Sequence, residues 1–252
     1  MSAPESPSVA PLVDAHFHLD LFPDPATIAH EIEAAHIHTI AVTNSPSVFF
    51  HTRMLTEGCS FLHPAVGLHP QLVAARAGEV DSMWPLLEET RFIGEVGLDY
   101  VTKDEAERRL QRDIFTRILA RCAAFGNKIV TVHSRRAAGD VIAALGPAFP
   151  GKVILHWFSG TSAELDEAAS RGLYFSVNPA MTLSKSGQSI IARIPRERML
   201  SETDGPFVEL AGQPAQPKDV TRVIDCLARL WDVAPATARD IVSDNFTRLL
   251  GE

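Results

Sequence analysis

Residues 11–20 read PLVDAHFHLD. An apolar start at Leu12-Val13 runs into His16 and His18, with Asp14 and Asp20 on either side. In an extended chain, residues two apart project to the same side, roughly 6–7 Å apart at Cα. Two imidazoles so placed at the end of a strand can converge on one cation. The same figure recurs down the chain. IGEVGLD at 93–99 sets Glu95 inside an apolar run, VTVHSR at 130–135 reaches His133, and VILHWFSG at 153–160 reaches His156. LSETDGP at 200–206 closes on Glu202 and Asp204. A glutamate among apolar strand residues is costly to bury unless it is paired or bound to metal.

These runs belong to a regular alternation. Eight β-rich stretches are predicted at 12–17, 39–43, 61–67, 92–97, 128–133, 152–156, 173–177 and 199–202. Helical stretches fall between them at 25–35, 47–57, 79–89, 104–125, 137–145, 162–171 and 185–194. Two more follow, at 219–230 and 235–243, with Pro235 suited to a first helical turn. Strand–helix alternation implies parallel pairing. Stretches such as Ile129-Val130-Thr131-Val132 are apolar almost throughout, as strands covered on both faces are. Eight units in 252 residues favour closure into a TIM (β/α)8 barrel over an open sheet. No Gly-rich phosphate loop follows the first strand, which sets aside the usual nucleotide-binding α/β folds. The expected organisation is a flexible N-terminal tail at 1–10 and one barrel domain over 11–252.

The net charge of −8 argues against a broad basic face that coats long nucleic acid. Bound cations can still supply positive charge locally. Cys59, Cys122 and Cys226 are odd in number and far apart, so neither a disulfide framework nor a cysteine zinc site is expected. The Ser/Pro-rich start lacks the pattern of a signal peptide, and no apolar run is long enough to span a membrane. A cytoplasmic protein is expected.

Strands one, four, five, six and eight thus deliver His16, His18, Glu95, His133, His156 and Asp204 to one end of the barrel. That end is where barrel enzymes carry their sites. The donor set suits Zn, Mn, Fe, Co or Ni, and Mg with added waters. Its size favours two divalent ions over one. The expected division gives one ion to His16, His18 and Asp204 and a second to His133 and His156, with Glu95 bridging. Asp204 is the natural group to orient an attacking water and take its proton.

The motifs DAHFHLD at 14–20, VGLHP at 66–70, IGEVGLDY at 93–100, VHSRRA at 132–137, HWFSG at 156–160, ETDGPF at 202–207 and NFTRLL at 245–250 resemble, in this order, the TatD family of metal-dependent deoxyribonucleases within the amidohydrolase-like barrels. The resemblance implies a TIM barrel, divalent cations and hydrolysis of phosphodiester bonds in DNA, single-stranded or at ends. It gives metal-ligand roles to the same six residues. The chain departs from the family at Trp157, where Cys is usual, at Gly205, where Ala is usual, and at 212–217, which replaces an Arg/Asn-rich segment. FSVNPAM at 175–181, together with HWFSG and ETDGPF, resembles the TatD-type member of the Qat anti-phage defence system, which implies protein partners in a defence complex.

Substrate contacts are expected from His69, the histidine of the family's GxHP motif, from Arg135, which can grip a phosphate through two nitrogens, and from Asn178 after the seventh strand. Asp99 can accept from a ligand histidine, Trp157 can stack a base, and Glu202 is read as structural. Two other functions compete: amide or ester hydrolysis by the same metal chemistry, and a binding subunit that retains a metal site. The bridging modified lysine that cyclic amidohydrolases of this fold carry on strand four is replaced here by Glu95, which favours the phosphodiesterase.

Overall fold

The computed structural model of the chain describes residues 9–251. Of the tail expected at 1–10, residues 1–8 lie outside the described residues. Eight strands form one sheet: β1 (Leu12–Phe17), β2 (Ile37–Val42), β3 (Leu62–Val66), β4 (Phe92–Gly97), β5 (Ile129–His133), β6 (Lys152–His156), β7 (Tyr174–Val177) and β8 (Met199–Ser201). Each pairs in parallel with the next in chain order. Helices fill the intervals: α1 (Pro25–Ala34), α2 (Pro46–Leu55), α3 (Val73–Arg76), α4 (Met83–Glu89), α5 (Glu105–Phe125), α6 (Ala138–Leu145), α7 (Ser162–Ser170), α8 (Pro179–Leu183) and α9 (Lys185–Ile191). A two-residue hairpin, β9 (Glu209–Leu210) with β10 (Gln213–Pro214), follows β8, and α10 (Val220–Trp231) and α11 (Pro235–Leu250) end the chain. This is the (β/α)8 barrel. Among the described residues no helix is long and apolar enough to cross a membrane.

The helices form for local reasons that also fix which side they bury. In α5 the buried residues are Gln111, Ile114, Phe115, Ile118, Leu119 and Cys122, spaced three and four apart along one face. Its start is capped by Asp104, whose carboxylate accepts the N–H groups of Ala106 and Glu107. Three departures from the sequence reading have physical causes. The helix expected at 79–89 begins only at Met83, because Pro85 deep inside a helix would lack a donor and clash with the preceding turn. The short α8 arises because the Asn178 side chain accepts from the Met181 N–H and Pro179 occupies the first turn. The last helix runs to Leu250 because Asn245, a poor helix former, is buried and donates to the carbonyls of Arg196 and Met199, both at 2.7 Å.

The barrel closes differently from how it runs. The strand ladder does not continue from β8 to β1. In its place the fully buried Asp14 carboxylate accepts the Thr203 N–H at 2.8 Å and the Thr203 hydroxyl. Ser201 donates to the Val13 carbonyl. Beyond the strands, the Asp204 N–H reaches the His16 carbonyl and the His18 N–H reaches the Gly205 carbonyl, each at 3.0 Å. Two candidate ligand segments are therefore stitched together by their own backbones.

Close approach between backbones at β3, β4 and β5 shapes the same end. A Cβ at Gly67 would lie 2.2 Å from the Glu95 nitrogen, and one at Gly97 would lie 2.1 Å from the His133 carbonyl oxygen. Backbone atoms cannot yield as a flexible side chain does. Gly67→Ala is accordingly expected to cost about 3 kcal/mol, the upper end for overpacking. Urea unfolding of the two chains, compared by midpoint at equal slope, measures it.

Candidate metal centre

The six predicted residues meet at the C-terminal mouth of the barrel. Two strand irregularities help to aim them. The β1–β2 register shifts between Asp14 and Phe17, and the β4–β5 register shifts between Ile93 and Val96, bracketing His16 and Glu95 respectively. Such bulges redirect side chains. The Nε2 atoms of His16 and His18 stand 3.3 Å apart. Both face one oxygen of Glu95, Oε2, at 3.5 and 3.4 Å. Asp204 Oδ1 completes the group, 3.8 Å from His16 Nε2 and 3.5 Å from His18 Nε2.

The other Glu95 oxygen, Oε1, faces a second group. His133 Nδ1 lies 2.7 Å from it, His156 Nε2 3.1 Å and His69 Nε2 3.3 Å. The His16 and His156 rings stack at 3.8 Å between centroids, bringing the two groups into contact. Several trios here have donor atoms close enough to share an ion: His16, His18 and Glu95; His16, His156 and Asp204; His69, Glu95 and His133.

A second layer orients the rings. His16 Nδ1 meets the Thr131 hydroxyl at 2.8 Å, and His133 Nε2 meets Asp99 Oδ2 at 2.9 Å. The same Asp99 oxygen accepts from Gln71 Nε2 at 2.8 Å. Glu202 Oε1 lies 3.4 Å from His156 Nδ1, while this carboxylate also accepts from the Trp157 N–H, the Asn178 amide and the Ser176 hydroxyl. Fixing one imidazole nitrogen leaves the other to serve as donor atom toward the centre.

Electrostatics differ between the two groups. Burial holds His16 below its ordinary value and takes His18 down to about 4, so both present neutral lone pairs at pH 7. Burial also opposes charge on His133 and His156. It is outweighed by Asp99 and Glu95 at the first and by Glu202 and Glu95 at the second, which hold both above the ordinary histidine value. Burial would raise Glu95 too, but the surrounding histidines, His69 and His156 foremost, hold it well below the usual carboxylate range. Asp204 is raised to about 7, chiefly by burial, against the pull of His156 and His16. Two neutral imidazole nitrogens 3.3 Å apart, facing two carboxylate oxygens, form an arrangement that a divalent cation fits.

Above these groups opens a cavity of about 560 Å³. His18, Glu95, His133, His156 and Asp204 line its depth. His69 and Arg135, both expected to meet substrate, line it too, and the Arg135 guanidinium is exposed with no ion pair among the described residues. Asn178 is placed elsewhere. It is fully buried, with its oxygen capping α8 and its amide on Glu202, so the structure gives it a supporting position in place of the substrate contact expected from sequence. Residues the sequence reading missed also line the cavity: Asn44, Gln71, Ser159 and Phe207. The Oδ1 atom of Asn44 is buried without a hydrogen-bond partner. Its signal in the sequence was its place just past the end of β2, where barrel site residues gather.

Four histidines and two carboxylates gathered at the C-terminal mouth of a (β/α)8 barrel are the architecture of a barrel metallohydrolase. The family described as TatD related DNase matches residues 13–251, and the chain belongs to that family. It is 28% identical to the "Uncharacterized metal-dependent hydrolase YabD" of Bacillus subtilis, over 94% of this chain and 98% of that protein. It is 26% identical to the human "Deoxyribonuclease TATDN3", over 94% of each chain. Among solved structures, the TatD homologue YjjV of Escherichia coli superposes with a TM-score of 0.85 at 23% identity, covering 97% of this chain and 99% of that one.

Cation uptake here must displace protons. His133 and His156 are raised and Asp204 stands at about 7, so below neutrality the metal-free site holds protons that a cation expels. Metal affinity is expected to rise with pH between about pH 6 and 8. Calorimetric titration of Zn²⁺ in buffers of different ionisation enthalpy reads the protons released. A second expectation concerns Asp99, which touches His133 from behind. Asp99→Ala should weaken cation binding by about 10–100-fold, readable in the same titration.

Proposed function

We propose that this chain hydrolyses phosphodiester bonds in DNA, assisted by one or two divalent cations. The observation that carries this reading is the division of Glu95: one oxygen faces His16 and His18, the other faces His133 and His156. His16, His18 and Asp204 would hold one cation with Glu95 Oε2, and His133 and His156 a second with Glu95 Oε1. Such cations supply Lewis acidity, lowering the pKa of water and offsetting charge on the phosphate.

The protein's own groups provide the rest. Asp204, just past the end of β8 with Oδ1 facing His16 and His18, orients the attacking water and takes its proton. His69 and Arg135, at the wall of the cavity, bind the non-bridging phosphate oxygens. Glu202 and Asp99 hold His156 and His133 in place from behind. The phosphodiester is favoured over an amide or ester by membership of a family described by DNase activity, by an unpaired guanidinium at the mouth, and by Glu95 standing on β4 where a modified lysine would bridge in a cyclic amidohydrolase. An open cavity over the donor atoms is superfluous for a scaffold, which speaks against the binding-subunit reading. Membership of an anti-phage system has only the resemblance of FSVNPAM, HWFSG and ETDGPF behind it.

The test is release of nucleotides from a single-stranded oligonucleotide with Mn²⁺, Mg²⁺ or Zn²⁺ added. Chelator should abolish it, and Asp204→Asn should lower kcat by about 10²–10⁴-fold. His133→Ala should reduce both metal content and rate. Cleavage that survives chelator and Asp204→Asn together would refute the mechanism. Turnover of simple esters or amides, with every phosphodiester left intact, would move the chain to the other hydrolase class.

A further inference from the structure

Two aromatic rings stand in water at the rim of the cavity. Phe207 is 59% exposed and Trp157 is 37% exposed; Phe50 at 63% and Phe125 at 42% are exposed as well, but neither lines the cavity. Both residues line the cavity. Trp157 follows His156 directly, and its backbone N–H donates to Glu202, the carboxylate that also faces His156. The backbone at Trp157 is left-handed, with φ of 39°, a conformation uncommon for a bulky residue and found where a side chain must be aimed. Phe207 lies three residues past Asp204, with its ring edge-on to His18 at 4.9 Å. The Trp157 backbone and the Phe207 ring are thus fixed beside the donor groups on the β6–β8 side of the mouth, and both side chains open into the cavity.

Charge makes the complementary point. The chain carries a net −8, and among the described residues Arg135 is the one lysine or arginine lining the cavity. Few phosphates can be gripped by such a surface, so binding of a strand must draw on its bases.

We infer that Trp157 and Phe207 form a nucleobase subsite, each ring stacking an unstacked base of a strand whose phosphate lies over Glu95 and Asp204. This rests on the proposed phosphodiesterase reading and adds its recognition element. A paired and stacked base offers no free face, so the subsite selects single-stranded or frayed nucleic acid. Base stacking on an aromatic ring is tolerant of sequence, so little discrimination among bases follows. With one or two phosphates neutralised by side chains, affinity should depend weakly on salt, with a log–log slope of about −1, where a phosphate-gripping groove gives about −4 or steeper.

The experiment uses the full metal-loaded chain and a labelled, cleavage-resistant phosphorothioate thymidine oligonucleotide, read by fluorescence anisotropy. An abasic oligonucleotide of equal length is the comparison. Trp157→Ala and Phe207→Ala should each weaken thymidine binding by about 10–100-fold, leave abasic binding unchanged, and retain wild-type metal content. Trp157→Phe should restore most of the loss. On cleavable substrate the change should fall on KM, with kcat moving little. Equal affinity of the wild type for the two oligonucleotides, unaltered binding by both alanine variants, or a steep salt slope would overturn the subsite. Chelator-sensitive cleavage indifferent to bases and rings removes the subsite and leaves the nuclease. Base-dependent binding with no cleavage of any phosphodiester does the reverse.

Discussion

A carboxylate at 2% exposure inside a barrel is stable only if its charge is met from several sides. Glu95 is such a group, and much of the mouth is arranged around it. Gly67 and Gly97 allow neighbouring strands to come within backbone contact of its own strand. The register shifts in β1 and β4 turn His16 and Glu95 toward one another. Histidines from β1, β5, β6 and the loop after β3 surround its two oxygens. Removal of any one of these supports would leave a desolvated anion short of a partner.

The supports are themselves supported. Thr131, Asp99 and Glu202 stand behind His16, His133 and His156 in turn. This layer separates the histidines into two electrostatic kinds. His16 and His18 are held low by burial, while the carboxylates behind His133 and His156 hold those two above the ordinary histidine value beside Glu95.

Much of this was legible in the chain. His16 and His18 end an apolar run, Glu95 interrupts one, and His133 and His156 close two more, so residue type and strand-end position marked them as candidates, and the strand–helix alternation gave eight strands within a few positions of those observed. What sequence concealed was of two kinds. Asn178 and Asn44 are both amides just past a strand end, yet one caps a helix and the other lines the cavity, a difference set by packing that local patterns do not encode. The extent of α11 was hidden because the carbonyls that hold buried Asn245, those of Arg196 and Met199, lie far from it in sequence. The split of the helix near Pro85 was accessible in principle, since proline's steric rule is local.

The Asp14–Thr203 join spans 189 positions, and it connects the first strand to the last without a ladder of its own. Contacts so distant in sequence are the slowest to form, since a long loop must close before they are gained. His16 and His18 come from one side of that join and Asp204 from the other, each tethered to its opposite's backbone. A growing chain that has made its first seven strands thus carries nearly all the ligand side chains while lacking the group assigned to accept the proton. The complete constellation exists only in the finished barrel, so a partly synthesised or trapped intermediate would lack it.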